Sequence, residues 1–201
     1  MFRRTFKGVI DAVARYGYYH LVRIITGPLS RTSVSPNFLT LLSIIGIWMA
    51  IPCFAFGYLS TGVVAAWVGV LMDSVDGKLA RLRLHLTDAM GAFEHVTAVP
   101  GLALWYAAFG WHLNEVQAGF PGGEVWWTSA GIVLFVLDKL VSGGFKKLYG
   151  KEIFDLRPFD ARFHLVAARR NITLLILTIG VITSEIGLAF QMAVVWMAIT
   201  F

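Results

Sequence analysis

The residues best suited to chemistry lie in one short run, Asp73-Ser-Val-Asp76-Gly77-Lys-Leu-Ala80-Arg81. On a helix, positions 73, 76, 77, 80 and 81 lie one or two turns apart and share a face. Two carboxylates a turn apart can hold a divalent cation through oxygen. Gly77 and Ala80 take side-chain bulk off that face, so a ligand can approach the backbone. Arg81 adds a planar fork suited to phosphate. Two acids, two small residues and one arginine on a stripe describe a site for a metal and a diphosphate. The structural alternative is a helix end whose charges snorkel to a membrane interface. That suits Lys78 and Arg83, but the short Asp73 and Asp76 cannot snorkel far.

An apolar run carries this cluster, and the rest of the chain is similar. Of 201 residues, 57% are hydrophobic and 14% charged, and mean hydropathy is +0.70. Soluble globular chains carry roughly 25% charge. These values exclude a soluble enzyme, a disordered tail and a disulfide scaffold, and the single cysteine, Cys53, implies no disulfide framework. Apolar runs at 38–59, 62–81, 88–112, 125–145, 171–183 and 186–201 predict six membrane spans. The expected fold is all-α integral membrane, a single domain over 1–201. Residues 1–34 form an interfacial helix and linker, and 38–201 a six-helix bundle. In the first twenty residues, Phe2, Phe6, Val9, Ile10, Val13 and Tyr16 recur at helical spacing opposite basic residues. That pattern predicts an amphipathic helix in the membrane interface, or alternatively a helix packed on the protein's own core. Charges interrupt the segment throughout, so it does not read as a signal peptide.

Basic residues set the expected orientation. Six Lys/Arg precede the first span, three lie at or after the end of the second, and eight at or after the end of the fourth, which accounts for all seventeen. The other connections carry none. This separation predicts that both termini face the cytoplasm. It also removes nucleic acid as the partner, because the positive charge is topological. Part of it can meet anionic membrane lipids.

The acidic run resembles the signature of the CDP-alcohol phosphotransferases, D-x2-D-G-x2-A-R followed after eight residues by G-x3-D-x3-D. Asp73, Asp76, Gly77, Ala80 and Arg81 match the first half at every defined position. Ser35-Pro36-Asn37-Phe38-Leu39-Thr40 also resembles the P-N-x-x-T that begins the family's first span. The six-span layout agrees. The resemblance implies a membrane-embedded transferase of phospholipid synthesis, opening to the cytoplasm, with a CDP-linked donor and an alcohol or lipid acceptor. It implies two divalent cations, Mg2+ or Mn2+, and release of CMP as the acceptor attacks phosphorus. Asp73 and Asp76 would hold metal, and Gly77, Ala80 and Arg81 the CDP diphosphate. It further implies a homodimer.

The second half of the motif departs. Counted from Arg81, the glycine slot falls on Met90, the third acid on Glu94 and the fourth on Ala98. Counted from Gly91, the acid slots fall on His95 and Val99. The first register needs no insertion and keeps a carboxylate. It predicts Glu94 as the third metal ligand and His95, with an ordinary pKa of about 6.5, as the candidate base. His95 could also serve as a nitrogen ligand, and a hydrogen-bonded histidine between helices is the equal alternative to either role. Asp88 shares a face with His95 and offers another carboxylate, although Thr87-Asp88 also reads as an ordinary helix start.

Three further features are placed here. Asp138 and Lys139 are adjacent and do not face each other on a helix, so Asp138 is expected to meet a basic partner on another helix, or the site. The basic connection 146–170 is either a solvated loop or a pocket for an anionic headgroup or phosphorylated acceptor, with Arg162 and Arg169 as its candidate residues. Trp105, Tyr106, Trp111, Trp126 and Trp127 read as an interfacial aromatic belt, and Gly143-Gly144 as a bend or close-packing point. Two rival functions follow. One is a family member that has lost catalysis and serves as a membrane binding or scaffold protein, supported by the missing fourth acid. The other is an aspartate-rich prenyltransferase, opposed by the lack of a second aspartate-rich cluster.

Overall fold

The computed structural model describes residues 11–83, 88–116 and 124–201, without the side chains at 88–92, 94, 95, 115, 116, 124, 155 and 161. The first half of the N-terminal helix expected over the first twenty residues therefore lies outside the described residues. What is described begins with a π-helical turn, Val13–Gly17, and α1, Tyr19–Leu29. Then come α2 (Pro36–Ala55), α3 (Leu59–Arg83), α4 (Asp88–Val116) and α5 (Glu124–Tyr149). A 3-10 turn (Ile153–Asp155) leads to α6 (Pro158–Phe163), α7 (Arg170–Thr183) and α8 (Ile186–Thr200). The described residues contain no strand.

Local chemistry sets the helix ends. Pro36 opens α2, where a missing N–H costs nothing, and Ser35 caps it by accepting from the Phe38 N–H at 3.2 Å. The chain reverses after α2 through Gly57 at φ +80° and leaves α5 through Gly150 at φ +68°. Both positions favour glycine because a Cβ is strained there. Between α7 and α8, Ser184 takes the left-handed conformation at φ 62°.

Pro36–Ala55, Leu59–Arg83 and Val125–Tyr149 are long and apolar enough to cross a membrane, while Arg170–Thr183 and Ile186–Thr200 are apolar but shorter. α4 runs 29 residues with Pro100 inside it. The six apolar runs thus coincide with six helices, α2 to α5, α7 and α8.

The tightest crossing is α2 on α3. A Cβ at Gly46 would sit 2.8 Å from the Gly69 Cα, and one at Gly69 would sit 2.9 Å from the Ser43 carbonyl oxygen. Small residues let the two backbones touch, as in membrane helix pairs generally. Phe54, Phe109 and Phe190 are fully buried next to this crossing, and Phe54 and Phe109 meet at 4.3 Å between centroids. Trp105 donates to the Ile47 carbonyl at 2.9 Å, tying α4 to α2.

Three expectations change. Trp105 and Tyr106 are core residues, 4% and 6% exposed, whereas Trp111 and Trp126 are 60% and 69% exposed. The first pair faces the bundle, so only the second keeps the character of a belt. The stretch 146–170 is not a plain loop, since it finishes α5 and adds the 3-10 turn and α6. Gly143 and Gly144 lie inside α5, and a Cβ at either meets nothing within 4 Å, so neither is a close-packing point within the described chain.

Candidate functional site

The acidic run occupies the last turns of α3, and the helix does put its polar members together. Asp76 is 4% exposed. Its Oδ2 is buried and has no hydrogen-bond partner among the described residues. The Thr40 hydroxyl of α2 lies within hydrogen-bonding reach of the Asp76 carboxyl, while also donating to the Pro36 carbonyl at 3.2 Å. The P-N-x-x-T segment at the start of α2 is thus packed against the acidic turn of α3.

Arg81 folds back along its own helix. A Cβ on Gly77 would lie 3.5 Å from Arg81 Nη2, so the guanidinium covers the bare backbone that glycine leaves. Its Nε is buried without a partner among the described residues. A buried donor of this kind costs stability unless something accepts from it. An orphaned carboxylate oxygen and an orphaned guanidinium nitrogen on one face suit a cation and an anion together. On that ground the residues fit a divalent metal with a diphosphate.

Lys78 and Arg83 do not snorkel into solvent. Lys78 is 6% exposed and its Nζ lies 5.1 Å from the Tyr19 ring centre, a cation–π arrangement. Arg83 donates to the carbonyls of Val34 and Thr32, and to that of Leu29 at 2.6 Å. It thereby fixes the linker between α1 and α2.

Asp73 is held by a residue that sequence reasoning missed. Arg170, the first residue of α7, donates to Asp73 Oδ2, and the two side chains are 23% and 20% exposed. Behind this pair runs a second polar link. Ser74 donates to the Tyr18 hydroxyl at 3.2 Å, and Asn171 Nδ2 donates to the same oxygen at 2.9 Å and to Asp11 Oδ2 at 2.6 Å. Asp11 also accepts from the Ala14 N–H at 2.9 Å. The network joins the N-terminal segment, α3 and α7. Burial pushes the Tyr18 hydroxyl pKa up, opposed by its bond to Ser74. The available signals were a lone acid, Asp11, in a basic segment and the polar run Arg169-Arg170-Asn171 heading a span.

The two arginines expected to line an anion pocket sit in different surroundings. Arg162 is exposed on α6. Arg169 is half-buried, 4.5 Å from the Phe154 ring centre. Burial lowers its pKa, and Asp138, Glu152 and Asp11 act against that. Asp138 accepts from Lys139 Nζ at 2.7 Å, so these neighbours do pair, the long lysine chain curling round to reach the carboxylate. A small cavity of about 40 Å³ lies among α4, α5, α7 and α8, with Tyr106, Phe135, Asp138, Lys139, Arg170 and Thr173 on its wall.

Glu94, His95 and Asp88 are on the first turns of α4, but their side chains lie outside the described residues. Among the described residues no three His, Cys, Asp or Glu side chains gather closely enough for a metal. Ala98, in the fourth acid slot, is buried in the apolar core at 7% exposure.

Comparison with known proteins finds likeness in the same stretch of the chain that carries this motif. Residues 33–98 match the CDP-alcohol phosphatidyltransferase family. The match takes in the P-N-x-x-T segment, the whole first half of the motif and the divergent second half. The chain is also similar to the phosphatidylinositol phosphate synthase of Cutibacterium acnes, 28% identical over 136 residues. That alignment covers 64% of this chain and 60% of the relative's length.

Proposed function

We propose that the protein is a six-span membrane transferase that moves a substituted phosphate from a CDP-linked donor to an alcohol or lipid acceptor, releasing CMP. The observation that carries the proposal is the orphaned, buried Asp76 Oδ2 one turn from Asp73, inside a segment that matches the family. The relative's name, phosphatidylinositol phosphate synthase, supports a place in phospholipid synthesis.

Asp73, Asp76 and Glu94 would hold Mg2+ or Mn2+, which neutralises phosphate charge when bound. Gly77 and Ala80 let the donor diphosphate approach α3, and Arg81 supplies a fork to it. His95 takes the acceptor's hydroxyl proton. Arg162 and Arg169 remain the proposed contacts for an anionic headgroup or acceptor. Of the two, Arg169 is the better supported, because it lies at the head of α7 next to Arg170. The proposed protein is one domain with both termini and the active site cytoplasmic, acting as a homodimer among membrane lipids.

Ala98 favours a second reading. With an apolar core residue in the fourth acid slot, the chain would be a binding or scaffold protein that no longer turns over. Measurement of CMP release in detergent, with CDP-diacylglycerol and with CDP-linked headgroups as donors, separates the two. Metal-dependent release that falls by at least about a hundredfold in Asp73→Ala and Asp76→Ala supports the enzyme. Binding of the donor without CMP release in the wild-type protein supports the scaffold. Near-normal turnover in His95→Ala would sink the base assignment.

A further inference from the structure

Arg170 contacts the proposed metal-binding carboxylate and also lines the neighbouring cavity. Its guanidinium donates to Asp73 Oδ2. The same side chain forms part of the cavity wall with Asp138, Lys139 and Thr173. A cationic fork on a carboxylate competes with any cation for that carboxylate, both by occupying an oxygen and by opposing its charge.

We propose that Arg170 is an intramolecular counter-ion that sets the cation affinity of Asp73, and that a divalent cation displaces it. This rests on the reading of Asp73 and Asp76 as cation ligands. Without a cation the arginine neutralises one of two carboxylates that would otherwise repel each other across a helical turn. With a cation it leaves Asp73 and turns towards the cavity it already borders, where Asp138 also stands on the wall. The frame does not depend on the pair, since α3 and α7 are tied separately through Ser74, Tyr18 and Asn171. Removing the Arg170 charge should therefore leave the carboxylates in place and take away this competitor for Asp73.

The direction of the effect makes the test selective. A residue that only holds the site together would weaken cation binding when replaced, whereas a competing counter-ion strengthens it. The full chain in detergent is titrated with Mn2+ alone, and free Mn2+ is read by electron paramagnetic resonance. Arg170→Gln is expected to bind Mn2+ about tenfold more tightly than wild type, the scale of one charge removed at a partly shielded site. Arg170→Lys keeps the charge and should stay within about threefold of wild type. Unchanged or weaker binding in Arg170→Gln, with Arg170→Lys folded and binding, overturns the proposal. Asp73→Ala tests the underlying site independently. If it binds Mn2+ as wild type does, the cation reading of Asp73 fails whatever the arginine variants do.

Discussion

At the scale of single residues, the protein keeps several buried polar atoms that have no hydrogen-bond partner among the described residues. Asp76 Oδ2 and Arg81 Nε belong to the proposed site. His164 is separate from it. It follows α6, is 7% exposed, leaves Nδ1 without a partner among the described residues and packs its ring 4.1 Å from that of Phe154. Burial, helped by the Arg169 charge, lowers its pKa from 6.5 to about 4. Between those values the unfolded chain binds a proton that the folded chain refuses. This contribution to stability therefore falls as pH drops from about 6.5 to about 4, and is level outside that window. Thermal midpoints in detergent across this range should show the decline in wild type and a shallower one in His164→Leu. Equal slopes would refute the assignment.

At the scale of elements, the α2–α3 crossing positions the chemistry, since Thr40 comes from one helix and Asp76 from the other. Gly46 and Gly69 allow that approach. An added methyl would meet backbone, which cannot swing aside as a flexible side chain can. Gly46→Ala or Gly69→Ala should cost about 1–3 kcal/mol through overpacking, read as a lower thermal midpoint. Gly143→Ala is the control. Its Cβ enters open space within a helix, so the midpoint should hold or rise, by up to about 1 kcal/mol in stability. Loss of stability in the control comparable to that in Gly46→Ala would show that crowding at the crossing is not the cause.

At the scale of the whole molecule, the basic residues predict which ends of the helices meet the cytoplasm. Ser60 and Lys151 are exposed at connections of opposite expected side. In a Cys53→Ala background, Lys151→Cys should react with an impermeant maleimide in inside-out vesicles, and Ser60→Cys in right-side-out vesicles. Labelling of both from one side would overturn the six-span topology. Large apolar side chains on the outside, among them Leu140 at 65% and Ile182 at 77% exposure, suit contact with lipid.

The sequence alone was enough for the helical class, the positions of the apolar helices and the first half of the motif. Those properties are written in local periodicity: apolar runs set the helices, and a shared helical face gathers residues 73 to 81. Tertiary structure decided what lies against that face. Arg170 follows Asp73 by nearly a hundred positions, and no local pattern separates it from Arg162 or Arg169. Only the packing of α7 against α3 selects it. Trp105 and Tyr106 likewise look like interfacial residues in the chain, but become core residues because α4 turns them towards α2 and α8. Partners distant in sequence are chosen by how helices pack, and periodicity along one helix carries no record of that choice.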